Sequence, residues 1–143
     1  MLQIMADEPS FNEGIIAEFR ANRGNVGGYF NGSPMLLLTT TGAKSGEERV
    51  SPLVYTTDDG RIVIVASNGG SDRHPSWYYN VIANPRTTVE VGDETYQADA
   101  VITDPTERRR LFDLHAERFP GFKDYEKGTD RVIPVIVLDR IES

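Results

Sequence analysis

The chain has 143 residues, 38% apolar and 26% charged, enough for one domain with a real core. Its formal charge of −7 argues against a nucleic-acid surface, and the absence of cysteine excludes a disulfide framework, a thiolate nucleophile and a Cys-ligated metal. His74 and His115 are the only histidines, too few for a His-rich metal site, and each reads as a surface or hydrogen-bonding residue. Residues 1–9 turn acidic before reaching signal-peptide length, and no later run is long and apolar enough to span a bilayer, which suits a cytoplasmic protein.

Ser10 followed by Glu13 forms a capping-box pattern, after which Phe11, Ile15, Ile16 and Phe19 fall on one helical face until residues 22–24 stop the helix. Glu13 and Glu18 against a single Arg20 make core packing a better use of that face than an anionic membrane. A glycine-rich link follows over 24–32. Strands are expected at Met35–Thr41 and 49–57, and Asp58-Asp59-Gly60 is a hairpin signal leading to a strand at 61–67. Pro52 cannot donate to a ladder, so the second strand lies at an edge or bulges.

The polar loop 68–74 ends at Pro75, the expected first residue of a short helix through Ala83 that Asn84-Pro85 stops. Arg86–Val91, a Gly92-Asp93 turn and Glu94–Ile102 make a second hairpin. Asp104, Pro105 and Glu107 occupy the Ncap, N1 and N3 positions of a helix ending near Arg118; a loop over 119–130 then leads to a last strand at 132–138. Hairpins outnumber βαβ units. The expectation is an α+β fold, a mainly antiparallel six-stranded barrel with three short helices, as a single domain over 1–143 that includes the helix and link of 1–33.

Between the first two strands, Gly42 and Gly46 allow the positive φ of a tight turn, Ser45 offers a hydroxyl, and Lys44 and Arg49 add charge. This is a pocket for a phosphate or carboxylate, or a solvated hairpin tip; on the turn alone both readings stand. A Walker A loop is excluded, because Ala43 precedes Lys44 and Leu38 holds the place of the earlier glycine. Gly27, Gly28 and Gly32 also miss the dinucleotide spacing.

The segments IIAEFRANRGNVGG, LLLTTTGAKSGEERVSPLVY, VASNGGSDRHPSWYYNVIANP and FKDYEKGTDRVIPVIVL, in this order over almost the whole chain, resemble the deazaflavin-dependent nitroreductase family. The resemblance implies a split β-barrel of the flavin-mononucleotide-binding type. It also implies hydride transfer from reduced 8-hydroxy-5-deazaflavin (coenzyme F-420) to a quinone or similar planar acceptor, nitro compounds among them.

By that resemblance, Lys44, Ser45, Gly46 and Arg49 hold the cofactor's phosphate and the start of its tail, with Ala43, Glu47 and Glu48 completing the turn and the two carboxylates facing solvent. Leu37, Thr39, Val50, Ser51 and Pro52 on the first two strands, and Val65, Ala66, Ser67 and Asn68 on the next, correspond to walls around the ring. Val65 and Ala66 also read as core, with Val63 and Val65 as alternating positions of one strand face. Ser76, Trp77, Tyr78, Tyr79 and Asn80 match a helix bordering the cofactor, with Trp77 divided between core and site. Phe122 and Tyr125 match the segment over the acceptor side, and Ser67 and Tyr125 are the candidates for polarising the acceptor oxygen. Phe119 and Phe122 stack but cannot donate hydrogen bonds, a departure that favours quinones over nitro compounds. The rival readings are a flavin-mononucleotide oxidoreductase on the same barrel and a non-catalytic deazaflavin carrier. Oligomeric state stays open, a homodimer included, and membrane contact is peripheral at most.

Overall fold

The computed structural model describes residues 9–24 and 34–141. Seven strands and four α-helices follow one another as α1 (Pro9–Ala21), β1 (Met35–Thr41), β2 (Glu48–Val54), β3 (Thr56–Asp58), β4 (Arg61–Val65), α2 (Ser76–Ala83), β5 (Arg86–Val91), β6 (Glu94–Ile102), α3 (Pro105–Arg118), α4 (Gly121–Lys127) and β7 (Val135–Arg140). The strands form a single antiparallel sheet in the order β2-β1-β5-β6-β7-β4-β3. β2 and β3 are therefore opposite edges of the sheet, yet Tyr55 alone separates them in the chain. One residue spans at most about 3.6 Å, so the two edges must meet and the sheet curls into a barrel.

The side-chain period of two sorts this sheet into an inner and an outer face. Leu36 and Leu38 of β1, Val89, Ala98, Ile64, Ile136 and Leu138 share the inner core with Trp77 and Val81 of α2. The alternate β1 residues Met35 and Leu37 pack outward against Ile15 and Phe19 of α1. Val63, Val65, Val135 and Val137 likewise pack outward against Leu111, Phe112 and Ala116 of α3. Strands covered on both faces carry unbroken apolar runs, as in residues 35–38 of β1, 62–65 of β4 and 135–138 of β7.

The hairpin signals are realised. Asp59 and Gly60 both take positive φ between the paired Asp58 and Arg61, and Gly92 does so between Val91 and Glu94. Asp104 caps α3 by accepting the Glu107 N–H at 2.8 Å, with Pro105 in the first turn. Pro52 sits on the edge strand β2, opposite Leu37.

Several boundaries differ from expectation. The strand expected over 49–57 breaks at Tyr55, because its two halves pair with β1 and β4 at opposite sheet edges; this turns six strands into seven. The 119–130 loop contains α4, started by Phe122 and Lys123 N–H groups bonding the Phe119 and Pro120 carbonyls and held to α3 by Arg108 and Arg109 on Glu126. The last strand begins at Val135, since Pro134 lacks an N–H, and runs to Arg140 by pairing with β6. β4 ends at Val65 because Ser67 turns right-handed. Pro75 is the N-cap of α2 rather than its first residue. α1 already includes Pro9, so Ser10 lies inside the helix instead of capping it; the side chains of 9–11, and the link beyond Gly24, lie outside the described residues.

Candidate functional site

The basic turn is built by its own groups. Gly42 donates to the Glu47 carbonyl at 2.7 Å, and its own carbonyl accepts from Gly46, whose φ is 72°. A Cβ on Gly42 would stand 2.5 Å from Ser45 Oγ and 3.2 Å from the Glu47 carbonyl, so a side chain here would displace the Ser45 hydroxyl from its place in the turn. Ser45 Oγ accepts from Glu47 N at 3.1 Å, and Ala43 N donates to Asn80 Oδ1 at 2.9 Å. Those bonds engage the amides of Gly42, Ala43, Gly46 and Glu47, and the turn's side-chain donors are the Lys44 ammonium, the Ser45 hydroxyl and the Arg49 guanidinium. Residues 43–49 are all exposed, Glu47 and Glu48 included, and Arg49 touches Glu47 only at 3.5 Å. So loose a pair in open solvent leaves Arg49 available to a ligand.

Asn80 joins this turn to α2. It is buried, and its Nδ2 donates to Thr40 Oγ1 at 3.1 Å while Oδ1 holds Ala43. The other flank of α2 meets the loop after β4. There Asn68, Gly69 and Gly70 take positive φ in succession, following a right-handed Ser67. A right-handed residue followed by a left-handed one turns consecutive N–H groups toward a common point, the geometry of an anion or carbonyl nest. Asn68 Nδ2 donates to the Arg73 carbonyl, while Asn68 Oδ1 is buried and has no hydrogen-bond partner among the described residues.

Arg131 holds that loop from behind. Its Nε donates to Ser71 O at 2.8 Å, Nη1 to Ala66 O at 3.1 Å and to His74 Nδ1 at 2.9 Å, and Nη2 to Ser67 O at 2.6 Å. Thr129 adds a bond to Asp72 at 2.8 Å. Burial, and secondarily the Arg131 charge, push the His74 pKa below its ordinary value. The His74 ring lies 4.6 Å from that of Tyr78 and 5.7 Å from that of Tyr79. α4 closes the far side, with Tyr125 against Gly70 and 5.1 Å from Phe122, ring centre to ring centre.

The residues expected at the site thus fall into groups. Lys44, Ser45, Gly46 and Arg49 are exposed on the turn; Ser67 and Asn68 lie in the loop, Ser67 buried; Ser76 and Tyr79 are exposed on α2, with Tyr78 half-buried. Phe122 and Tyr125 are half-buried on α4 and pack toward the α3 core. Trp77 and Ala66 are part of the inner core, and Val65 lies under α3. Leu37 is fully buried under α1; the register places Thr39, Val50 and Pro52 on its side of the sheet and Ser51 on the inner side. Sequence reading missed Arg131. A lone arginine before an apolar strand looks like any surface charge, and its acceptors are carbonyls about 60 residues away in the chain.

The profile of the F420H(2)-dependent quinone reductase family matches residues 15–140. An F420H(2)-dependent quinone reductase of Mycobacterium tuberculosis is 38% identical over 87% of this chain and 86% of its own. A solved F420-H2 dependent reductase, FDR-A, is 42% identical over 74% of this chain and 94% of its own, with a TM-score of 0.68. A further solved chain, described as a domain-swapped dimer, is 42% identical over 74% of this chain and 80% of its own, with a TM-score of 0.69. The barrel, the order of the motifs and these relatives agree: the chain belongs to the F420H(2)-dependent quinone reductases, oxidoreductases that pass hydride from a reduced deazaflavin to a quinone.

Proposed function

We propose that the deazaflavin lies along the line joining the basic turn, α2 and the 66–74 loop, and that the acceptor enters on the α4 side. The observation that carries this reading is Asn80, which ties the exposed cationic turn to the helix bordering the loop through two hydrogen bonds. Lys44, Ser45, Gly46 and Arg49 hold the phosphate and the start of the acidic tail, Arg49 by its fork and Lys44 as a point charge. The unpartnered Asn68 Oδ1 and the N–H groups at 67–69 suit a ring edge carrying one donor and flanking carbonyls. Thr39, Val50, Pro52, Val65 and Ala66 back the site from the strands, and Ser76, Tyr78 and Tyr79 border it from α2.

A deazaflavin supplies hydride and needs no covalent nucleophile, so the chain's residues have to bind, orient and exclude water. Phe122 offers a stacking face to a planar acceptor, and Ser67 and Tyr125 supply hydroxyls to its oxygen. Nitro compounds fit less well than quinones, since Tyr125 is the one phenol on α4. Among the described residues no helix is long and apolar enough to cross a membrane. We place the protein in the cytoplasm, touching the membrane peripherally at most; a structural neighbour described as a domain-swapped dimer is compatible with a homodimer.

Replacing both Lys44 and Arg49 by Ala tests the anion site, since both are exposed and outside the core. The two lost charge-assisted bonds should raise the deazaflavin dissociation constant by roughly one to two orders of magnitude with folding unchanged. Equal affinity in the double variant overturns the placement. Adding menadione to the reduced complex then separates a reductase, which reoxidises the cofactor, from a carrier, which does not.

A further inference from the structure

Arg131 spends a half-buried cation on three main-chain carbonyls and an imidazole; among the described residues no carboxylate hydrogen-bonds its side chain, Asp72 acting only as a nearby charge. Desolvating a guanidinium is costly, so the bonds it makes have to offset that cost. The carbonyls belong to Ala66, Ser67 and Ser71, a stretch of loop that bends through three successive left-handed residues. Such a bend holds its shape only when surrounding contacts over-determine it. A planar fork can reach several separated acceptors at fixed angles, which a lysine cannot.

The imidazole contact carries a second consequence. A guanidinium only donates, so His74 Nδ1 must accept and the ring proton must sit on Nε2. Among the described residues Nε2–H has no partner, and the ring stands beside Tyr78 and Tyr79. Burial, and secondarily the Arg131 charge, lower this imidazole's pKa and so disfavour a second ring proton.

We propose that Arg131 is a positioning residue of the cofactor site, holding the 66–74 loop in shape and setting His74 as an Nε2–H donor toward the deazaflavin. This rests on the assignment of that loop to the cofactor wall. Arg131 acts through the loop and His74, whereas His74 itself touches the bound ring or its substituents.

The test uses the full chain with Arg131→Lys, Arg131→Ala and His74→Phe, following the thermal transition without cofactor and deazaflavin affinity by fluorescence. Arg131→Lys should stay folded and lose about tenfold or more in affinity, the loss expected when a charge-assisted network is left unmatched. His74→Phe should weaken binding in the same direction. Millimolar methylguanidinium should restore binding to Arg131→Ala where methylammonium does not, a recovery that a general loss of packing would not show. In the unsubstituted protein, long-range proton–nitrogen spectra should report His74 Nδ1 as a bare nitrogen. Wild-type affinity in folded Arg131→Lys, or a protonated Nδ1, overturns the proposal, and the spectrum can overturn it even if every variant unfolds. If cofactor binds but leaves amide exchange over 66–74 unchanged, the placement of the cofactor fails as well; protection there with unaltered Arg131 variants removes this proposal alone.

Discussion

His115 offers a quantitative test of how the barrel couples to α4. The side chain is fully buried, with Nδ1 2.8 Å from Thr56 Oγ1 on β3 and Nε2 without a hydrogen-bond partner among the described residues. Phe119 and Phe122 surround it, with ring centres 5.0 and 4.4 Å away. Desolvation by these neighbours lowers its pKa from 6.5 to about 4. The unfolded chain therefore takes up the proton first as pH falls, so this group's contribution is complete well above pH 6.5, is lost between 6.5 and about 4, and is constant below. At about 1.4 kcal/mol per pH unit the full loss is about 3 kcal/mol, of which about 2 kcal/mol has gone by pH 5. Urea unfolding of the parent and of His115→Gln at pH 8 and pH 5 isolates the effect, since the carboxylates are common to both. The parent should lose about 2 kcal/mol more than the variant over that interval. Equal losses would refute the assignment of a neutral buried imidazole.

Asn80→Ala removes two hydrogen bonds and leaves Thr40 Oγ1 and the Ala43 amide unmatched. It should cost about 1–3 kcal/mol by chemical denaturation and also weaken deazaflavin binding; a purely local effect would leave binding unchanged. Gly70→Ala places a Cβ at φ 83°, 3.1 Å from Tyr125 Cα. It should destabilise by roughly 1–3 kcal/mol and push α4 away, visible as increased amide exchange over 121–127. Tyr125→Phe keeps the ring's packing against Gly70 and Phe122 and removes the hydroxyl. Lower kcat with unchanged cofactor affinity would assign Tyr125 to the acceptor step, and unchanged turnover would make it a packing residue.

Local chemistry was legible in the sequence wherever it is decided over a few residues. Asp104-Pro105-Thr106-Glu107 starts a helix in any context that buries its apolar side, and the chain reverses at Asp59-Gly60 and at Gly92, where those three residues take positive φ. The basic turn, the edge position of Pro52 and the family itself were equally readable. What escaped was set at a distance. α4 is a seven-residue helix too short to stand alone, and it forms because Arg108 and Arg109 reach Glu126 and Phe122 packs on His115. The break at Tyr55 follows from pairings on opposite edges of the sheet, which no local pattern encodes.

The sequence by itself determined the capping, the turns, the alternation of apolar residues and the cationic turn, because each depends on neighbours in the chain. Tertiary structure alone decided how those pieces become a site. It folded the sheet until its edges met, set Asn80 between turn and helix, and brought Arg131 against carbonyls at 66, 67 and 71. A hydrogen bond between residues about 60 apart is satisfied only once closure of the barrel has supplied its partner.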